Sequence, residues 1–240
     1  MAAIQEFIDE AMVSRVLNVI KSGKEATVYL CRAHPTLGPK FVAAKVYHGA
    51  QFRNFSNADV YNEGRLILNG QVRRAVQGRT EFGREAQSAI WTTYEYDTLC
   101  TLFDAGAAVP EPFAQTDKAI LMEYITNDGA AAPQLASVSL DREESEAVWE
   151  SVVGTVRLAL SLNLVHGDLS AYNVLYGDQG PVIIDLPQAI DPRFNNSARR
   201  LFERDVRNVA KFCARSGARI DADGVIDELW RRFTFSDWGR

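Results

Sequence analysis

Residues 164–173 read Leu-Val-His-Gly-Asp-Leu-Ser-Ala-Tyr-Asn, and a second Asp, Asp185, follows the apolar run Val182-Ile183-Ile184. These residue types suit one chemistry. The Asp168 carboxylate can orient a hydroxyl and accept its proton, while the Asn173 amide oxygen and the Asp185 carboxylate can hold a divalent cation against phosphates. His, Asp and Asn are also ordinary turn residues, so the loop alone does not decide. The second carboxylate, at the end of an Ile-rich run in the right chain order, points to phosphoryl transfer with ATP and Mg2+.

Further upstream, Val16–Ile20 and Thr27–Leu30 read as strands around Lys21-Ser22-Gly23-Lys24-Glu25-Ala26, a turn able to lay backbone N–H groups over phosphates. A single glycine also suits a plain hairpin turn. Residues 41–47, Phe-Val-Ala-Ala-Lys-Val-Tyr, read as a third strand with Lys45 among apolar neighbours, close to the V-A-I-K pattern of a phosphate-contacting lysine. Residues 89–105 predict an amphipathic helix in which Glu95 lies near the apolar face. A bare carboxylate there is costly, and Lys45 is its natural partner. The spacing of Ile4, Phe7, Ile8, Ala11 and Met12 predicts a helix over residues 4–14.

Residues 49–87 break this regularity. They are polar and rich in Gly and Asn, with Arg73 and Arg74 among interleaved charges, and read as a mobile insertion with one or two short helices. Residues 109–112 read as an extended linker and residues 119–125 as an apolar strand. Beyond it the chain turns helical: a long helix from about 141 to 161 with Asp141 as N-cap, a hairpin at 174–176 and 182–184, and helices near 197–215 and 222–233. The expected organisation is an N-lobe over 1–124 and a C-lobe over 125–240.

Composition narrows the partners. A chain of 240 residues with formal net charge −5 does not carry the general cationic excess of a broad nucleic-acid binder, and DNA is not expected. Cys31, Cys100 and Cys213 lack a CxxC spacing, and the three His are dispersed. No apolar run approaches a membrane span and no signal pattern opens the chain, so a cytoplasmic location is the expectation.

Taken together these segments resemble the RIO family of atypical protein kinases, its first type above all. Residues 21–29, Lys-Ser-Gly-Lys-Glu-Ala-Thr-Val-Tyr, are similar to the family's S-T-G-K-E-A-N-V-Y loop, and residues 165–173 to V-H-A-D-L-S-E-Y-N. Ile183-Ile184-Asp185-Leu186-Pro187-Gln188 is similar to I-I-D-x-x-Q. Val109-Pro110-Glu111-Pro112, Ala132-Pro133 and Arg204-Asp205-Val206-Arg207-Asn208-Val209 also match. The resemblance implies an α+β, two-lobed protein-kinase-like fold, β-rich then helical, lacking an activation segment and A-P-E region. Mg-ATP would lie between the lobes of a single kinase domain spanning 1–240.

Position by position, it implies that Ser22, Gly23, Lys24, Glu25 and Ala26 cover the phosphates and that Lys45, paired with Glu95, contacts them. Met122 would be the gatekeeper, with Glu123 and Ile125 offering backbone groups to adenine. Asp168 would be the catalytic base, and Asn173 and Asp185 the Mg2+ ligands, with Mn2+ as a substitute. In some RIO proteins the metal-binding Asp accepts phosphate, a role that would fall on Asp185. Ser22 and Gly167 replace Thr and Ala of the family pattern, and Pro187 a Ser-like residue. The activity implied is phosphorylation of Ser/Thr in an unidentified protein substrate, autophosphorylation included, with an ATPase switch alongside. Two rivals remain: a small-molecule phosphotransferase of the aminoglycoside or choline type, which lacks the S-G-K-E-A sequence, and a nucleotide-gated factor of a ribosomal or other RNA–protein assembly.

Overall fold

The computed structural model describes residues 2–48, 81–236 and 238. Of the insertion expected at 49–87, the part up to residue 80 lies outside the described residues. The rest, 81–87, is helical and opens α2 (Glu81–Asp104). Glu81, Arg84 and Glu85 are good helix formers, and Gly83 weakened the helical reading without breaking the helix. The chain divides into two compact units: the first holds described residues 2–48, 81–100 and 110–124, the second 101–109 and everything from Ile125 on.

In the first unit, α1 (Ala2–Asp9) lies on a five-stranded antiparallel sheet. Its strands are β1 (Val13–Ser22), β2 (Ala26–Ala33), β3 (Phe41–Tyr47), β4 (Pro112–Gln115) and β5 (Ala119–Glu123), ordered β1-β2-β3-β5-β4. Ile4 and Phe7 enter a core with Val13, Cys31, Val42, Ala44 and Leu121. The helix expected to reach residue 14 stops at Asp9. Ala11 takes φ 55°, and the Met12 and Ala11 N–H groups return to the Phe7 and Ile8 carbonyls at 2.9 and 3.0 Å. That is a Schellman closure without its usual glycine. The expected linker at 109–112 runs into β4, an edge strand, where the missing N–H of Pro112 disturbs pairing least.

The second unit contains the small hairpin β6 (Thr126–Asn127) and β7 (Ala130–Ala131), α3 (Arg142–Ser161), the hairpin β8 (Val174–Gly177) and β9 (Gly180–Ile183), then α4 (Ala198–Cys213) and α5 (Ala222–Thr234). Asp141 caps α3 through the Glu144 N–H at 2.8 Å, and Glu144 returns the bond to the Asp141 N–H at 2.8 Å, a complete capping box. Asn163, at φ 59°, closes the other end: Leu164 N–H reaches the Ala159 carbonyl at 2.9 Å. This closure delivers the chain directly into residues 164–173. Helix α3 packs on β9, α4 and α5 through Val148, Trp149, Val152 and Leu160, all buried. No helix of the described residues is long and apolar enough to cross a membrane.

Candidate active site

In the first unit, Lys45 sits mid-β3 opposite Val28 and Ile120. Its Nζ donates to Glu95 Oε1 of α2 at 2.7 Å, and both residues are buried. A buried ammonium or carboxylate is tolerable only when paired, so the two charges hold each other and the helix against the sheet. The turn between β1 and β2 is stapled by Gly23 N–H to the Ala26 carbonyl at 2.9 Å and His48 N–H to the Glu25 carbonyl at 2.8 Å. Buried Thr27 adds hydroxyl contacts with Ser22 Oγ at 3.2 Å and His48 Nε2 at 2.9 Å. Ser22, Gly23 and Lys24 stay exposed at the tip. On β5, Met122 is half-buried after the fully buried Ile120 and Leu121, and the Glu123 N–H is committed to the Glu111 carbonyl at 2.8 Å.

In the second unit, the loop after α3 is organised by side chains without sequence-assigned roles. His166 is the link between loop and hairpin: its Nε2 lies 3.1 Å from the Ile184 carbonyl, and its Nδ1 accepts from the Asp168 N–H at 3.2 Å. Both bonds together require the neutral ring with its proton on Nε2. Consistently, burial holds the His166 pKa below its usual value, against the pull of Asp185 and Asp168. From α4, buried Asp205 accepts from Gly167 N–H at 2.7 Å and Leu169 N–H at 3.1 Å. Asn208 donates to the Leu169 carbonyl at 3.0 Å. Arg204 donates to the Gly167 carbonyl, with its Nη2 3.9 Å from Asp168 Oδ1. Gly167 takes φ 80°, where a side chain would be strained.

Burial pushes the Asp205 carboxyl up to about 7, while Arg204 and the two amide donors hold it down. The Asp168 carboxyl is also raised: burial is the main cause, Asp185 adds to it, and His166 and Arg204 oppose.

Asn173 ends a short turn, and its Nδ2 donates to the Asp168 carbonyl at 2.8 Å. Its own carbonyl accepts from the Ile184 N–H at 2.9 Å, fixing Asp185 next to the loop. Asp185 itself takes φ 70°, a left-handed backbone rare outside glycine and typical of functional sites. Because the Asn173 NH2 is spent on the protein, its Oδ1 is the group it can offer a cation. One amide oxygen and one carboxylate are the hard donors that Mg2+ takes, and the charge Asp185 imposes on Asp168 is what a divalent cation would relieve. The residues fit the ion.

The structure therefore assembles Asp168, Asn173 and Asp185 in one unit. It forms the Lys45–Glu95 pair in the other, together with the turn 22–26. His166, Asp205 and Asn208 were missed as positioning residues. The signal for Asp205 was a carboxylate set among Leu201, Phe202, Val206 and Val209 on one apolar helix face, a position that demands a partner.

A β-sheet unit carrying a Lys–Glu pair and a helical unit carrying the Asp168, Asn173 and Asp185 loops define an α+β, protein-kinase-like fold. A RIO domain family model matches residues 27–225, and the chain belongs to that family. It is 29% identical over 200 residues to the RIO-type serine/threonine-protein kinase Rio1 of Thermoplasma acidophilum, covering 81% of this chain and 96% of that one. Against the protein of the same name from Haloferax volcanii it is 30% identical over 226 residues, covering 94% and 72%. The crystal structure of the Rio2 kinase–ADP/Mg2+–phosphoaspartate complex from Chaetomium thermophilum shares the fold, with TM-score 0.67 and 18% identity over 98% of this chain and 69% of that chain.

Proposed function

We propose that this chain is an atypical serine/threonine protein kinase of RIO type, transferring the γ-phosphoryl group of Mg-ATP to a hydroxyl. One observation carries the reading: Asp168, Asn173 and the segment after β9 that bears Asp185 are tied by three hydrogen bonds, from His166 to Ile184, Ile184 to Asn173 and Asn173 to Asp168. A turn built for folding alone would not need a base, an amide oxygen and a second carboxylate in mutual register. Residues 1–240 are read as one kinase domain.

Each residue then has a task. Lys45, held by Glu95, steadies the phosphates, and the turn from Ser22 to Ala26 covers them with backbone N–H groups. Met122 borders the base. Because the Glu123 N–H and the Ile125 C=O are committed to the Glu111 carbonyl and the Ala132 N–H, the groups offered to adenine are the Glu123 carbonyl and the Ile125 N–H. Asp168 orients the attacking hydroxyl and takes its proton. Asn173 and Asp185 would hold Mg2+, which when bound would supply neutralisation of the charge that develops on the phosphates. Mn2+ can replace it. Catalysis on this plan is mostly positioning and preorganised charge.

A second reading, an ATPase switch with an aspartyl phosphate on Asp185, is favoured by the strained φ of that residue and by the phosphoaspartate in the Rio2 complex. Only residues 186–197 join Asp185 to α4, leaving little chain for docking a peptide. Labelling with radioactive ATP separates the two, since an acyl phosphate is released by hydroxylamine and phosphoserine is not. Label on Ser or Thr supports the kinase. Hydroxylamine-labile label alone supports the switch. A role in ribosomal or other RNA–protein assembly, and a cytoplasmic location, rest on the family resemblance.

A further inference from the structure

Helix α4 carries more positive charge than its fold requires. At about 100° per residue, Arg200, Arg204, Arg207 and Lys211 fall within a sector of about 60°, a single stripe roughly 16 Å long. Arg204 anchors it beside Asp168, 3.9 Å from Oδ1, and Arg207 is held by Glu203 and Asp223 at 3.1 and 3.2 Å. Arg200 and Lys211 are exposed, and neither has an ion-pair partner among the described residues. Arg199, off the stripe, is compensated by Glu203 at 3.0 Å.

Two further observations speak against a merely solvated face. The first turn of α4 holds no acidic residue and instead carries Arg199 and Arg200, where cations oppose the helix dipole. Arg200 thus stands at a position that stability disfavours. Beside the stripe, the turn containing Tyr172 packs against α4, and Tyr172 is 67% exposed, a large apolar surface next to the reacting groups.

Resting on the kinase reading, we infer that the stripe of α4 and Tyr172 are the docking surface for the protein substrate, selecting Ser or Thr flanked by acidic side chains. Charge complementarity names the occupant's sign, and the stripe's origin at Asp168 names its kind: whatever lies along it must also present a hydroxyl to that carboxylate. A polynucleotide also meets the first condition, and RNA carries hydroxyls as well, but the net charge of −5 does not favour one. Along the helix axis Arg200 and Lys211 stand about 6 and 10 Å from Arg204. In an extended peptide at about 3.3 Å per residue this places the acidic side chains two to three residues from the phosphoacceptor, on either side.

The test uses the full chain with three matched peptides, a central Ser flanked at those positions by Glu, Gln or Lys. KM for the Glu peptide should be lower than for the Gln peptide by roughly five-fold, the range open to two or three exposed ion pairs. The Lys peptide should be poorest, and 0.5 M salt should flatten the series. Arg200→Glu with Lys211→Glu should invert the order while leaving kcat on the Gln peptide unchanged. Arg200→Gln with Lys211→Gln should flatten it, and unaltered thermal midpoints would certify the fold. Fluorescence anisotropy of labelled peptides gives the same order without turnover. Equal KM and equal binding for the Glu and Gln peptides, or a preference that survives both double variants, would overturn the inference, as would single-stranded RNA binding that the double variants abolish. Loss of all phosphoryl transfer by the native chain, with Glu-peptide binding intact, would fault the kinase reading and leave the surface standing as an acidic-segment site.

Discussion

Replacing Asp205 by Asn tests whether α4 holds the reactive loop. The carboxylate bonds the Gly167 and Leu169 N–H groups at 2.7 and 3.1 Å and is 2% exposed. Asn keeps one acceptor oxygen but turns an NH2 toward the other amide. One charge-assisted bond is lost and one buried N–H is left facing a donor, together a deficit of roughly 2–4 kcal/mol. Urea unfolding of both proteins at about pH 8, above the raised Asp205 pKa of about 7, measures this for the ionised carboxylate. The loosened loop should also lower kcat more than it raises KM for ATP. A variant as stable as the native chain would refute the role given to Asp205.

Other expectations follow from the same geometry. Asp168→Asn keeps the shape of the loop but removes the proton acceptor, so phosphoryl transfer should fall by roughly 10² or more with nearly unchanged ATP affinity by isothermal titration. Lys45→Met removes the ammonium that donates to buried Glu95 at 2.7 Å, and thermal unfolding should report a loss of about 3–5 kcal/mol. The double change Lys45→Met with Glu95→Leu should recover much of that stability and none of the activity. His166→Phe removes both ring bonds, so the native chain should exceed it by about 1–3 kcal/mol in denaturant. The native chain's advantage should fade as pH drops below 6, where the depressed His166 pKa makes protonation destabilising.

The parts of the fold that could be read from sequence are those governed by local pattern. The run 41–47 is apolar except for Lys45, with two Val and two aromatic residues, and it forms β3 with the bounds expected; Asp141 with Glu143 and Glu144 announced the start of α3. Family resemblance supplied the kinase fold, and the Lys45–Glu95 pair followed from the cost of a lone carboxylate on an apolar face. What escaped has a physical cause in each case. The end of α1 is set by Ala11 adopting a left-handed backbone, for which alanine gives no warning. Strand β4 begins at a proline that argues against a strand unless it lies on an edge, a tertiary fact. The start of α2 was hidden by Gly83 and by charge with weak periodicity. The tasks of His166, Asp205 and Asn208 depend on contacts across 18 to 39 residues, which no local pattern encodes.

The central claim is that Asp168 and Asp185 carry phosphoryl transfer to a hydroxyl. Its most direct test is phosphoamino-acid analysis after incubating the native chain, Asp168→Asn and Asp185→Ala with radiolabelled ATP and Mg2+. The account predicts phosphoserine or phosphothreonine from the native chain and neither from the two variants. Undiminished label on Ser or Thr in either variant would contradict it.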